Sequence, residues 1–334
     1  MENTFHIQWH ITDFCNLRCR HCYQSAFAPD TEIPFSKLEN IFDNIVSFAQ
    51  DEGRELVIDI TGGEPFLYKR WEDLVSLING CQTVKETGII TNGMFIDKNI
   101  ISRLERLSHF KLKVSAEGFT EQIYEYFRGR GTYGSFLKAC NLLQTATFEK
   151  VLMMTVFTGS VTCLEEMFAF METYAFDATI LERFIPWGRG LAERQKVVSL
   201  AEWKEILHRI CKKCGLGAEE IEQLVPYRAF MVKNDSGTFN LFGAPCIVAT
   251  DGMALMPDGT VFPCRRFPLA IGNLQETALK DIWKKSSVLA HLRGRNFLKG
   301  RCKKCIISRC LGCRALAYSL TGDFLSEDPL CIKE

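Results

Sequence analysis

Between residue 5 and about residue 185 the apolar positions alternate between two patterns. Short apolar runs predict strands at 5–12, 56–61, 86–91, 112–116, 150–157 and 179–185. Between them, apolar residues at helical spacing predict helices at 36–50, 71–79, 97–107, 134–145 and 161–174. The repeated βα order argues for parallel strands joined by right-handed helical crossovers. Barrels of this kind carry their chemistry on the loops at the carboxyl ends of the strands. Residues 190–235 read as helical linker (199–214 and 218–223), and beyond 245 the pattern breaks into turns, short strands and cysteines. The expected organisation is a barrel over 1–190, a helical linker over 191–244 and a small cysteine-rich unit over 245–334.

Composition narrows the class. The 334 residues suffice for one large domain plus a smaller one, and 40 basic residues balance 40 acidic ones. No global field points to a nucleic-acid or membrane partner, and the basic patches at 284–285 and 293–304 are local. No apolar run has the length of a membrane span, and the start of the chain lacks a secretory signature. Fifteen cysteines without an export signal argue for a reducing cytoplasm and for metal ligation instead of disulfides.

The most specific chemistry is the run Cys15-Asn-Leu-Arg-Cys19-Arg-His-Cys22-Tyr, a C-x3-C-x2-C loop directly after the first strand. Three thiolates on one loop suit three irons of a [4Fe–4S] cube and leave the fourth iron open for a reactant. The competing reading is a structural zinc site with His21 as fourth ligand. It demands a tight local fold and leaves Thr61-Gly-Gly-Glu-Pro65, after the second strand, unexplained.

Together these motifs resemble the radical S-adenosylmethionine (radical SAM) superfamily, whose fold is a partial (β/α)6 TIM-like barrel. The resemblance implies that the open iron binds the amino and carboxylate groups of SAM. One electron from the cluster then cleaves SAM to methionine and a 5′-deoxyadenosyl radical. It also implies that Gly62 and Gly63, which let backbone approach closely, bind the methionyl amino group with help from Glu64. Ser115 matches the serine of a family Ser-x-Asp-Gly run, with Glu117 where aspartate is usual. Arg128 resembles an arginine that pairs with the SAM carboxylate. Asn92 is a further polar contact or a turn former, and His21 is expected to pack near the adenine.

Seven more cysteines follow: Cys246, Cys264, Cys302, Cys305, Cys310, Cys313 and Cys331. The segment resembles the SPASM domain, which binds one or two auxiliary iron–sulfur clusters, two [4Fe–4S] cubes being the expectation. The central spacing is C-x2-C-x4-C-x2-C, where the family usually has C-x2-C-x5-C-x3-C. The family pattern assigns Cys302, Cys305, Cys310 and Cys331 to an outer cluster, and Cys246, Cys264 and Cys313 to an inner one. Seven ligands cannot fill two cubes, so the inner cluster keeps an open iron or another residue completes it. A zinc ribbon on the two C-x2-C pairs is the rival reading. Cys81, Cys140 and Cys163 read as plain structural residues, as do Cys211 and Cys214, whose C-x2-C spacing leaves additional ligation as the alternative.

Radical SAM enzymes with SPASM domains mostly modify peptides or proteins. The preferred expectation is an oxidoreductase that matures a ribosomally made peptide (RiPP maturation), abstracting hydrogen and leaving a thioether or carbon–carbon cross-link. An anaerobic sulfatase-maturing, formylglycine-forming enzyme is the first alternative. That family places aspartate after the cysteine equivalent to Cys264, whereas Arg265 and Arg266 stand here. A cofactor-biosynthesis enzyme is the second alternative. A peptide substrate and an electron donor such as flavodoxin or ferredoxin are the expected partners. Only fourteen residues precede Cys15, so either a separate protein is expected to supply a leader-binding module or the barrel is expected to bind peptide directly. Glu182, Arg183 and the Pro186-Trp-Gly-Arg189 turn are candidates for contacting substrate.

Overall fold

The computed structural model describes residues 3–217, 220–307 and 310–333. Six parallel strands follow one another in space as in sequence: β1 (Thr4–His10), β2 (Glu55–Thr61), β3 (Val84–Thr91), β4 (Phe110–Ala116), β5 (Glu149–Val156) and β6 (Ala178–Arg183). Their apolar residues are buried, and polar residues such as Gln8, Asp59 and Lys113 are interspersed among them. The crossovers carry α1 (Phe35–Asp51), α2 (Trp71–Asn79), α3 (Lys98–Leu104), α4 (Glu121–Arg128), α5 (Tyr133–Leu143) and α6 (Leu164–Thr173). In α1, Leu38, Ile41, Phe42, Ile45, Phe48 and Ala49 form one buried stripe at three- and four-residue spacing. All six expected strands and all five expected helices are present. The sequence reading missed α4, whose start is capped by Thr120 accepting from the Ile123 N–H.

The expected helical linker is corrected in its second half. After α7 (Leu200–Lys213) and α8 (Glu220–Gln223) come β7 (Tyr227–Asp235) and β8 (Thr238–Pro245), a hairpin that adds antiparallel to the free edge of β6. Ser236 and Gly237 have φ of 53° and 88°, the backbone of a two-residue hairpin turn that matches the strand twist. The first residues of the expected 218–223 helix, 218 and 219, lie outside the described residues.

The cysteine-rich unit does not stand apart either. β9 (Gly252–Leu255) pairs parallel with β1, and β10 (Thr260–Phe262) and β11 (Gly272–Asn273) extend the same eleven-stranded sheet. Helix α9 (Leu279–Lys285) then packs on α1, with Trp283 edge-on to Phe5 at 4.9 Å and to Phe48 at 6.1 Å. Helices α10 (Ser287–Arg293), α11 (Gly300–Lys304) and α12 (Arg314–Thr321) complete the unit. Leu289, Leu292 and Leu316 belong to the same buried core as the barrel.

Residues 246–251 carry the chain from β8, at one end of the strand order, to β9 beside β1. A flat sheet would separate β8 from β9 by eight strand spacings, about 38 Å. The connecting segment reaches at most about 25 Å when fully extended. The sheet must therefore curl strongly, which makes it a partial barrel with open edges at β8 and β11. Among the described residues no helix is long and apolar enough to cross a membrane.

Candidate active site

The loop after β1 is seated on the turn after β2 by backbone contacts. Gly63 N–H donates to Thr12 O at 2.8 Å and Glu64 N–H to Phe14 O at 2.9 Å. A Cβ at Gly62 would fall 2.3 Å from Thr12 O, and one at Gly63 2.3 Å from Phe14 O. Gly62 also has φ of 143°. These glycines are thus required for the approach of the cysteine loop itself, before any ligand is considered. On the other side, Gly190 N–H donates to Cys22 O at 2.9 Å and Arg189 N–H to Gln24 O at 3.1 Å. The 186–189 turn is therefore a second support for the cysteine loop.

Cys15, Cys19 and Cys22 line one cavity together with Gly62, Gly63, Asn92, Ser115 and Arg128. Of the SAM residues expected from sequence, Glu64 alone does not line it. Glu64 is fully buried and accepts from Thr91 Oγ1 at 2.7 Å, Asn92 N at 2.9 Å and Phe66 N at 3.4 Å. Burial pushes its carboxyl up to about 7, against those hydrogen bonds. It ties the β2 turn to the β3 turn and so orients Asn92, whose Nδ2 donates to Asn16 Oδ1 at 2.9 Å.

Arg128 ends α4 and is clamped by Glu117, with Nη2 donating to Oε1 at 2.8 Å and Nε to Oε2. His21 Nε2 meets the same Oε1 at 3.1 Å, and its ring stands edge-on to Phe127 and Phe157. Burial alone would raise Glu117, but Arg128 and His21 outweigh it and hold the carboxyl at about 2. Glutamate in place of aspartate is thus the partner of Arg128, a role that sequence reasoning did not assign.

The donor chemistry fits an iron–sulfur cube. Burial pushes the Cys19 thiol up to about 12 and Cys22 up to about 11, and a bound cluster would supply the positive charge that offsets this. Leu17 N–H and Gln24 N–H each point at a cysteine sulfur, Cys15 and Cys22, at 3.4 Å. Such donors favour the thiolate form. Among the described residues no three His, Cys, Asp or Glu side chains converge on a single ion.

The later cysteines fall into two sets. Cys302, Cys305, Cys310 and Cys331, the set that the family pattern gives to an outer cluster, line a separate cavity. Cys246, Cys264 and Cys313 lie close enough to perturb one another: burial pushes Cys246 up to about 12, and Cys313 and Cys264 add to it. Between the sets sits Asp328, fully buried, with Arg183 at 3.4 Å and Arg228 at 3.2 Å. Arg228 Nη2 also donates to Cys310 Sγ at 2.6 Å. Arg183 is thereby committed to Asp328 and not to the SAM cavity. Cys140, Cys163 and Cys211 are buried in the core and Cys81 and Cys214 pack against it, as expected.

Sequence reasoning also missed Arg265 and Arg266. Both line the SAM cavity and both reach Glu182, at 2.5 and 3.1 Å. Two arginines directly after a candidate cluster ligand were the available signal.

Residues 9–171 match the radical SAM superfamily model, and residues 246–306 match that of SPASM, an iron–sulfur cluster-binding domain. The AdoMet-dependent heme synthase of Methanosarcina barkeri is 26% identical, over 98% of this chain and 95% of the relative. The PqqA peptide cyclase of Gluconobacter oxydans is 24% identical, over 96% of this chain and 88% of the relative. Streptococcus suis SuiB, solved with its precursor peptide SuiA, has the same fold at TM-score 0.75 and 17% identity, over 99% of this chain and 76% of SuiB. With the cysteine loop inside the first match and Cys246, Cys264, Cys302 and Cys305 inside the second, the chain belongs to the radical SAM superfamily and, within it, to the enzymes that carry a SPASM domain.

Proposed function

We propose that the protein oxidatively matures a peptide, forming a thioether or carbon–carbon cross-link. One observation carries this reading. The SAM cavity is walled by Arg265 and Arg266, the residues next to Cys264 of the inner cysteine set. When bound, cluster and SAM supply hydrogen abstraction from carbon, and a substrate so activated must surrender an electron to become a product. An inner cluster held by Cys246, Cys264 and Cys313 would lie one residue from the cavity wall and could take it.

The chain's own residues bind and orient. Gly62 and Gly63 present backbone to the SAM methionyl group, and Asn92 and Ser115 offer polar contacts in the same cavity. Arg128 is held by Glu117. Phe184, Ile185 and Met153 line the cavity with apolar surface that displaces water. The peptide cyclase relative supports a peptide substrate, and SuiB shows the fold beside a precursor peptide. Arg265 in place of an aspartate weighs against formylglycine formation.

Anaerobically reconstituted protein, given SAM, a reductant and a short cysteine-containing peptide encoded beside its gene, should yield a product two hydrogens lighter by tandem mass spectrometry. The heme synthase relative, matched over nearly its whole length, favours a second reading in which the substrate is of haem type. Deoxyadenosine formation stimulated by a porphyrin, and by no such peptide, would replace the first reading with the second.

A further inference from the structure

The SAM cavity holds more positive charge than its own carboxylates neutralise. Outside the cysteines and His21, its charged lining is Arg128, Arg265 and Arg266 against Glu117 and Glu182. Glu117 is taken by Arg128, so the excess falls on the pair after Cys264. The Arg265 side chain is nine-tenths buried, at 10% exposure, and gives one terminal nitrogen to Glu182 at 2.5 Å. Arg266 reaches the other Glu182 oxygen at 3.1 Å, the Arg183 carbonyl at 3.1 Å and the Cys264 side chain. The Nε of each arginine is buried and, among the described residues, has no partner. Buried donors left without an acceptor are costly and rare, and they mark a place that a ligand or water must fill.

We propose that Arg265, with Arg266 fixed beside it, forms a subsite for a substrate carboxylate in the SAM cavity. The guanidinium fork matches a carboxylate at two points, and Glu182 holds the side chains in place while leaving each Nε free. Phe184, Ile185 and Met153 give the attached carbon skeleton an apolar wall. The inference rests on the proposed peptide reading and narrows it to a peptide with an acidic side chain. A propionate-bearing porphyrin would present the same group.

The test is equilibrium binding to the anaerobically reconstituted full chain with two matched probe pairs. One pair is an acetylated, amidated pentapeptide with a central glutamate and its glutamine twin. The other is mesoporphyrin and its dimethyl ester. We expect an acidic probe to bind about tenfold or more tightly than its neutral twin. Arg265→Gln should erase that difference, Arg265→Lys should keep part of it, and both should leave SAM affinity unchanged. Discrimination in the peptide pair supports subsite and peptide reading together. Discrimination in the porphyrin pair alone upholds the subsite and overturns the peptide reading. Equal binding within both pairs, or no saturable binding of either acid up to about 10 mM, overturns the subsite. So does a loss of SAM affinity in an Arg265→Gln variant whose circular dichroism matches the parent, which would assign the arginine to the SAM carboxylate. The parent comparison needs no variant, so a misfolded variant leaves it decisive.

Discussion

Glu117 Oε1 receives Arg128 Nη2 at 2.8 Å and His21 Nε2 at 3.1 Å, joining the end of α4 to the cysteine loop through one buried oxygen. Removing one partner of a buried ion pair strands the other charge and costs about 3–5 kcal/mol. Glu117→Gln should therefore be strongly destabilised at pH 7. The Glu117 carboxyl, ordinarily near 4.5, titrates at about 2 in the folded chain. Its contribution is complete above 4.5 and disappears as pH falls toward 2. The stability gap between parent and variant should narrow over that window in denaturant titrations; a constant gap contradicts the pairing.

Glu64 should behave with the opposite sign. Its carboxyl is raised from 4.5 to about 7, so the protonated form is the one favoured by folding. Stability should fall as pH rises from about 4.5 through 7. Glu64→Gln should cost less at pH 8 than at pH 5, by on the order of 3 kcal/mol. A variant whose cost is independent of pH would show that Glu64 is already ionised when buried.

Gly63→Ala places a methyl group on Phe14 O, where a Cβ would lie 2.3 Å away. The cysteine loop must move while the barrel core stays intact. Reconstituted iron should drop by about four per chain with circular dichroism unchanged. Full iron loading would mean that the loop accommodates the side chain.

Alanine at Cys15, Cys19 or Cys22 should abolish deoxyadenosine formation from SAM. Alanine at Cys246 or Cys313 should leave that formation partly intact and block the product. Alanine at Cys302 and Cys331 together should remove about four irons while SAM cleavage persists. Unchanged iron would dissolve the four-cysteine grouping.

Arg228→Gln removes the guanidinium beside Cys310 Sγ and leaves Asp328 with Arg183 and two backbone donors, Cys313 N–H and Leu330 N–H. Hydrogen bonds and positive charge at cluster sulfurs raise reduction potential. The outer cluster's midpoint potential, followed by electron paramagnetic resonance, should shift negative. An unmoved potential would make Arg228 a purely structural partner of Asp328.

The strands and most helices were legible because apolar periodicity is local. The division of the later cysteines into four and three came from the family resemblance and not from any local pattern. Helix α4 escaped because eight residues ending in Arg128-Gly-Arg-Gly131 resemble the approach to a turn, and the cap at Thr120 was overlooked. The β7–β8 hairpin was hidden by the helical stretch before it, although Ser236-Gly237 is a readable turn. What no local pattern could disclose is proximity across the chain. Arg265 meets Glu182 over 83 positions and Asp328 meets Arg183 over 145.

The short span from Pro245 to Gly252 sets the aperture of the barrel as well as its curvature. Cys246 sits on that strap and Cys264 lies just past the strand pair it leads into, so widening the mouth would pull on the auxiliary metal site. The bend of the sheet and the position of Cys246 are thereby coupled through a single strap.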